Sequence, residues 1–503
     1  MSTAVTDTRV ARSTSRVLAL PEKARERPRL ALAAVLGLAA VLILAGLGRS
    51  SMFIDEIFSW NASRLGLHGV DVAVHKQEVT PPLYYVLLHL WIALTGSGAE
   101  AVLRLPSALA GVAFVGAVTW LGTVVADRRA GVVAGVLAAL SPLTLQYAQE
   151  VRAYVFVMLA VTVAAAAVVK LSQEPDRRRW LALGVGASIV AALLHYTAVL
   201  VLFPLSLWIL RETQVSLVRR LAVGAAAAVP FLALVPLMLV QMGAGHHNVA
   251  ADAYARITPV GLLRLAATPF DGRALRGMTL SYELGFVALV DAVALLAFAD
   301  RFRHLRTRWL LVGASVLPVL AIVGVSAVAH PLALTRYTAV ATPFMLVAIA
   351  VAVLSIPRAL GAGLFALALV AGVLGVAAAQ TPAGQWPDMR SAMHVTAAGW
   401  RPGDVVVGLN NLAYNDAMTY YDRQMPARAP SSRGFFSTYD AMRSPAVRRA
   451  LRERRRVWVL SSPPVDPTEM ANALHERRAA SRGVRRFGGA YPVQLDEIRA
   501  TKG

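Results

Sequence analysis

Apolar runs about as long as a bilayer is thick recur along most of the chain, with short polar loops between them. A helix of about 20 mainly apolar residues is enough to cross a membrane. The pattern therefore predicts a polytopic α-helical membrane protein. We place its transmembrane helices, about eleven by this criterion, near 30–48, 103–125, 131–147, 153–171, 180–197, 198–210, 221–240, 282–299, 309–328, 338–354 and 359–379.

The run PPLYYVLLHLWIALTG at 81–96 is the ambiguous segment. It is short, opens with two prolines and ends in glycine. We expect a helix that lies partly in the membrane interface on the outer side. If it crossed the membrane instead, the sidedness of every later loop would invert.

The final quarter of the chain has a different texture. Short β-like runs, such as DVVVGL at 404–409 and RVWVLSS at 456–462, alternate there with helix-like stretches such as MANALHERRAA. This alternation is typical of a small α/β domain. We predict a basic N-terminal segment at 1–29, a transmembrane domain at 30–379 whose first outer loop is 49–102, and an α/β domain at 380–503.

The distribution of charge predicts the sidedness of the loops. Basic clusters fall in alternate loops, as in ADRRAG at 126–131 and DRFRHLRTRW at 300–309. The positive-inside rule places these loops in the cytoplasm, so the other loops and the α/β domain are extracytoplasmic. The same placement explains the excess of 50 Lys and Arg over 29 Asp and Glu without invoking nucleic acid.

The outward loops hold most of the unusual polar residues, beginning with Asp55 and Glu56 in SMFIDEIFSW. One interpretation is a solvated pair that caps the next helix. However, the flanking phenylalanines and tryptophan put the pair at the membrane interface, where a desolvated carboxylate can act as a general base. A divalent cation bound by both acids is a further hypothesis, and the sequence leaves metal use open. The chain has no cysteine, which excludes a thiol nucleophile and a cysteine metal site.

The same outer loop continues with HKQEVTPPLYY at 75–85. The two prolines impose extended backbone before the next helix, and Tyr84 suits the level of the lipid headgroups. Anchoring in the interface accounts for the tyrosines. It does not account for His75, Lys76 and Glu78, which we retain as candidate site residues.

Arginines also occur in the outward loops. Arg104 lies at the outer end of a helix, Glu150 and Arg152 lie in YAQEVRAY, and Arg336 precedes Tyr337 in LALTRYTA. Each arginine alone is more often structural. Together with Lys76 they form a set of cations on the same side as the acidic pair, and a guanidinium is well matched to a phosphate.

Histidines complete the outward polar residues. His195 lies in LLHYTA, and His246 and His247 lie with Asp252 in a glycine-containing loop. Their spacing fits no zinc pattern. We interpret the paired histidines as part of a loop over the site.

Taken together, the motifs PPLYY, LRLPSAL, YAQEVRAY and TRYTA, which follow an outer Asp-Glu pair, resemble the GT-C membrane glycosyltransferases. The likeness is greatest to the protein mannosyltransferase-like group, which includes bacterial relatives of the aminoarabinose lipid A transferase. It covers most of the chain and is strongest over 50–160. One departure is Thr80, which stands where the family usually has a histidine before the two prolines.

The resemblance implies an inverting transfer of a sugar from a polyprenyl-phosphate donor to an acceptor hydroxyl, outside the cytoplasmic membrane. By the same resemblance Asp55 is the general base and Glu56 assists in acceptor or metal binding. The donor phosphate and sugar are then held by residues from four loops, namely Lys76, Arg104, Glu150, Arg152, Arg336 and Tyr337, with His75, Glu78, Tyr84 and His195 as further candidates. The acceptor is a protein, a glycolipid or a cell-wall glycan.

Two alternatives remain open at the level of sequence: a transporter or flippase for a lipid-linked sugar, and a non-catalytic membrane protein that binds cell-envelope glycan. A transporter concentrates polar residues at the bilayer midplane, often where helices are broken. Here they cluster in outward loops and helix ends, which favours an enzyme. The sequence does not specify the sugar, the acceptor or the oligomeric state.

Overall fold

The computed structural model describes residues 28–76, 79–243, 256–272, 279–299, 305–329, 331–409, 420–426, 433–435, 437–462, 466–487 and 493–501. Residues 1–27 of the predicted N-terminal segment lie outside these ranges. So do Glu78, His246, His247 and Asp252.

The described part of the chain up to residue 380 consists of helices joined by loops. Its helices are α1 (Pro28–Leu44), α2 (Ile54–Arg64), α3 (Gly66–Lys76), α4 (Leu83–Thr95), α5 (Glu100–Val125), α6 (Arg128–Ala139), α7 (Pro142–Ala148), α8 (Tyr154–Gln173), α9 (Arg178–Leu194), α10 (Val199–Leu210), α11 (Leu217–Gly243), α12 (Pro259–Ala266), α13 (Thr279–Phe298), α14 (Arg308–Val328), α15 (Thr335–Thr338), α16 (Thr342–Ser355) and α17 (Arg358–Gln380).

Within the described residues, seven helical segments are long and apolar enough to cross a membrane, and an eighth is counted if the bent pair α6 and α7 is one span. This confirms a polytopic helical membrane protein, and the count of eleven stays a prediction. The helix α4 has 13 residues and so is only about 20 Å long, which is short for a crossing.

The predicted continuous span at 131–147 is wrong. The chain bends by 63° between α6 and α7. Pro142 lacks a backbone N–H and starts a new helix, and the Ser141 hydroxyl caps it by accepting from the Thr144 N–H at 3.2 Å. A hydropathy profile does not detect such a break, because the segments on both sides of it are apolar.

Helices differ sharply in how much of their surface is covered by protein. The segment Thr335–Ser355 is 83% buried and α8 is 78% buried, whereas α11 is 17% buried. The first two therefore lie in the centre of the bundle. Small residues permit the close approach of α5 and α6, since a Cβ on Gly131 would stand 2.1 Å from the Thr123 hydroxyl.

The stretch 49–102, predicted to be the first outer loop, contains the short helices α2, α3 and α4, which pack on one another. Gly66 has a φ of 77°, a left-handed conformation that permits the sharp turn from α2 to α3. Gly96 ends α4 in the same region of φ, at 61°. The loop is thus a folded layer at one end of the bundle.

A five-stranded sheet follows the last long helix. Its strands are β1 (Val405–Leu409), β2 (Arg433–Phe435), β3 (Val457–Ser461), β4 (Ala479–Phe487) and β5 (Val493–Ala500), in the order β2-β1-β3-β5-β4. The strand β1 is parallel to β2 and β3, and β5 is antiparallel to β3 and β4. The accompanying helices are α18 (Met389–Gly399), α19 (Thr438–Arg443), α20 (Pro445–Arg452) and α21 (Pro467–His475).

The two faces of this sheet pack against different layers. Val406, Trp458 and Leu495 belong to the large core that continues into the helical bundle. Val459 and Ile498 belong to a separate core with the helices α19 to α21. The helix-like stretch MANALHERRAA was only partly predicted correctly, because α21 ends at His475 and the two final alanines already belong to β4.

Candidate functional site

The acidic pair lies in the first turn of α2. Phe53 is the N-cap residue in an extended conformation, and the Glu56 carboxylate accepts from the Phe53 N–H at 2.9 Å. Carboxylates are favoured in a first helical turn because they interact with the free backbone N–H groups and the positive end of the helix dipole. The adjacent positions then point the two side chains in different directions.

Glu56 points inward and forms a buried ion pair with Arg104 of α5. Both oxygens of the carboxylate accept from the guanidinium, each at 2.8 Å. One oxygen also accepts from the Val151 N–H at 3.0 Å. The side chains are 0% and 1% exposed.

Arg104 uses all of its N–H groups within the protein. Besides Glu56, it donates to the carbonyl oxygens of Leu47, Ser50 and Ser51 at 2.8 to 3.1 Å. This geometry does not fit the expected roles of Arg104 in phosphate binding and of Glu56 in acceptor or metal binding. We propose a structural role for the pair, because a fully bonded buried pair has no group left to offer a ligand.

Asp55 has a different environment. Its Oδ2 accepts from Arg336 Nη1 at 3.0 Å. The Asp55 side chain is 27% exposed and that of Arg336 is 33% exposed. This carboxylate and its partner are therefore accessible to a ligand, unlike the neighbouring buried pair.

Arg152, in the turn between α7 and α8, lies close to the backbone of Asp55. Its Nη1 lies 3.4 Å from the Asp55 carbonyl oxygen, the Ser59 hydroxyl and the Tyr85 hydroxyl. Its guanidinium is 5.7 Å from the centre of the Tyr154 ring. The structure thus places Arg152 and Arg336 beside Asp55.

A small cavity of about 10 Å³, large enough for one water molecule, lies next to Arg152. Its lining comes from α4, the turn before α8 and the end of α9, and comprises Thr80, Pro81, Tyr84, Tyr85, Arg152, Ala153, Tyr154 and His195. Tyr84 and His195, both candidates from the sequence, therefore lie close to Arg152. Thr80, the departure from the family pattern, is also in this lining.

His195 occupies the extended break between α9 and the next helical turn. Its Nδ1 accepts from the Thr197 N–H at 3.2 Å, so the neutral ring carries its proton on Nε2. The His195 side chain is buried and lines the same cavity as Arg152.

Other candidates lie apart from Asp55 or have partners elsewhere. His75 and Lys76 are exposed at the end of α3, and His75 pairs with Asp71 at 3.1 Å. Glu150 is buried and accepts from the Gln146 amide at 3.0 Å. Tyr337 packs on an apolar cluster that includes Leu265, so its ring serves packing.

Sequence reasoning missed Gln241, which is fully buried near the end of α11. Its amide nitrogen donates to the carbonyl oxygens of Val74 and Thr80 at 2.9 and 3.0 Å. Its amide oxygen accepts from the Tyr196 hydroxyl at 2.8 Å. The available signal was a lone amide after a long apolar run, since an amide in such a position requires partners.

Metal ligation was the remaining question at the acidic pair. In the part of the chain that the structure describes, no group of three or more His, Asp or Glu side chains comes together around one point. Glu56 is closed off by Arg104, which leaves Asp55 as the accessible acid of the pair.

Comparison with known proteins places this site in context. Residues 79–239 match the family model of dolichyl-phosphate-mannose-protein mannosyltransferases. This stretch includes Arg104 and Arg152 and excludes Asp55 and Arg336. No curated protein matches the chain in sequence.

Solved structures are similar over a larger part of the chain. ArnT from Cupriavidus metallidurans in the apo state is 14% identical with a TM-score of 0.55, over 94% of this chain and 98% of that chain. The same protein bound to undecaprenyl phosphate gives 14% identity and a TM-score of 0.55, over 92% and 97%. The archaeal oligosaccharyltransferase AglB from Archaeoglobus fulgidus, in complex with an inhibitory peptide and a dolichol-phosphate, gives 13% and 0.49, over 87% and 70%. The likeness to ArnT shows that the two chains share a fold.

Proposed function

We propose that the chain is an inverting glycosyltransferase that uses a polyprenyl-phosphate sugar, because residues 79–239 match the mannosyltransferase family model and the chain shares a fold with ArnT. The acceptor is a hydroxyl group, and the reaction takes place on the outer side of the cytoplasmic membrane. The observation that carries this proposal is the accessible Asp55 carboxylate, which accepts from Arg336, with Arg152 at the backbone carbonyl oxygen of the same residue.

In the proposed reaction Asp55 takes the proton of the acceptor hydroxyl. The acceptor oxygen forms a bond to C1 of the sugar as the bond between C1 and the phosphate oxygen breaks. Attack opposite the leaving group inverts the configuration at C1. The products are the glycosylated acceptor and the polyprenyl monophosphate, and a proton remains on Asp55.

Arg152 and Arg336 stabilise the phosphate leaving group. Negative charge accumulates on the phosphate as the bond to C1 breaks, and fixed cations stabilise that charge without donating a proton. A guanidinium also offers paired N–H groups to phosphate oxygens. In this proposal Arg336 contacts both the donor phosphate and the Asp55 carboxylate, to which it already donates a hydrogen bond.

Two further observations support a lipid-borne donor. The similar protein ArnT has been crystallised with undecaprenyl phosphate. In this chain, the site lies at one end of a bundle whose outer helices, such as α11, expose apolar side chains over most of their surface. A polyprenyl tail can therefore remain in lipid while its phosphate reaches the arginines.

The test is transfer by the purified protein from a panel of undecaprenyl-phosphate mannose, arabinose and aminoarabinose. Serine peptides, glycolipids and cell-wall glycan fragments serve as mixed acceptors. We expect turnover on at least one donor, with inverted anomeric configuration in the product by NMR. Binding of the donors without turnover on any acceptor, or retention of configuration, would contradict the proposal.

A further inference from the structure

The chain between α1 and α2 is irregular, yet many of its backbone polar groups are bonded. A buried backbone N–H or C=O group needs a partner, and an irregular segment has to find it outside helices and strands. In the segment of residues 47–53, many of these partners are side chains. Arg104 provides them from the helical bundle, and residues beyond the last long helix provide them from the opposite side.

Arg390, at the start of α18, is one of these distant partners. Its guanidinium donates to the carbonyl oxygens of Gly48 and Ser50 at 3.1 and 3.0 Å. It also forms an ion pair with Glu100, the first residue of α5. The Ser50 carbonyl oxygen thus accepts hydrogen bonds from both Arg104 and Arg390.

Tyr421 is the second distant partner. Its hydroxyl accepts from the Met52 N–H at 2.7 Å and donates to Glu100 at 2.8 Å. The Tyr421 ring is 1% exposed. Burial raises the pKa of this hydroxyl, and the Glu100 carboxylate raises it further, so the group keeps the proton that it donates.

Aromatic ring contacts also join residues after position 380 to Phe53 and to α2. Trp386 stacks on Phe53, the N-cap residue of α2, with ring centres 3.7 Å apart. Tyr420 meets Trp60 of α2 edge to face at 5.0 Å. Residues that follow position 380 therefore contact α2 at its N-cap, next to Asp55, and again at Trp60.

We propose that Tyr421 and Arg390 are positioning residues for Asp55, which makes the C-terminal region part of the catalytic apparatus. They fix the backbone that leads into α2 and so fix the carboxylate relative to Arg336. This inference rests on the proposed role of Asp55 as the base. It differs from a role of the C-terminal region as a separate glycan-binding module, because these contacts are made to the segment that leads into α2.

The test compares Tyr421→Phe with Tyr439→Phe in the full-length protein. Phenylalanine keeps the ring of Tyr421 in place and removes the hydroxyl that joins Met52 to Glu100. Tyr439 lies on α19, on the other face of the sheet, and its variant controls for loss of a tyrosine hydroxyl in this region. The donor is whichever undecaprenyl-phosphate sugar of the panel the wild-type protein uses best.

We expect Tyr421→Phe to lower kcat by about tenfold or more, because small displacements of a catalytic group are costly. The KM for the donor should stay unchanged, since the arginines are untouched. Hydrogen exchange should be faster at the Met52 amide in this variant and unaltered in Tyr439→Phe. A general loss of folding would instead accelerate exchange throughout the protein.

Two outcomes would overturn the inference. One is a wild-type kcat for Tyr421→Phe in a protein whose Asp55→Asn variant is inactive, which would leave the proposed function intact. The other is faster exchange at Met52 with no change in kcat, which would show that the contact is structural only. If Asp55→Asn itself retains turnover, the proposed function fails first, and the positioning role fails with it.

Discussion

The Asp55 carboxylate accepts from the Arg336 guanidinium at 3.0 Å across 281 positions of the chain. Both side chains are partly exposed. The next residue, Glu56, forms an ion pair that is almost completely buried, with Arg104. Two adjacent acids of one helical turn thus have opposite environments, and only the first is available to a substrate.

Glu56→Gln should destabilise the protein. The change leaves the buried Arg104 guanidinium without its counter-charge, and breaking a buried pair in this way costs about 3–5 kcal/mol. We expect a clearly lower midpoint of thermal unfolding in detergent. Glu453→Gln, which removes an acid from an exposed ion pair with Arg449, should leave the midpoint almost unchanged. Equal midpoints for the two variants would contradict the structural role of Glu56.

Arg336→Gln should weaken binding of undecaprenyl phosphate. A hydrogen bond between charged groups contributes about 1.5–3 kcal/mol, which corresponds to roughly a tenfold to a hundredfold change in Kd. Arg336→Lys retains the charge and should bind with intermediate affinity. Titration of the purified variants with undecaprenyl phosphate measures this effect.

The matched control for that titration is Arg49→Gln. Arg49 is exposed and donates to Gln380, away from Asp55. Its loss should not alter the Kd. If Arg336→Gln binds undecaprenyl phosphate as tightly as Arg49→Gln does, Arg336 does not hold the phosphate.

Some of this structure follows from local sequence and some does not. Apolar runs predict helices wherever they are long, and β1 and β3 follow from their valine-rich runs. The break at Pro142 was readable from Ser141 and the proline, although mean hydropathy conceals it. The strand β4 was not predicted, because arginines occupy three of its six exposed positions and its apolar alternation is weak.

The environment of the site residues could be predicted from the sequence to a smaller extent than the helices and strands. The sequence places both acids of α2 together, and their burial depends on partners far away in the chain. Arg104 is 48 positions from Glu56, and Arg336 is 281 positions from Asp55. Nothing in SMFIDEIFSW distinguishes the two carboxylates. The contacts of Tyr421 and Arg390 with the same loop also arise only from tertiary packing.

The central claim is that Asp55 is the base of a sugar transfer. Its most direct test is the turnover of Asp55→Asn on the best donor of the undecaprenyl-phosphate panel. Asp71→Asn, an exposed acid on α3, is the matched control. Undecaprenyl phosphate binding is measured in parallel, to show that the phosphate site is preserved.

We predict that Asp55→Asn lowers kcat by about 10²–10⁴-fold, the usual contribution of a general base, while the Kd for undecaprenyl phosphate changes little. Asp71→Asn should keep wild-type turnover. Turnover of Asp55→Asn within a few-fold of the wild-type value would contradict the account and remove Asp55 as the base.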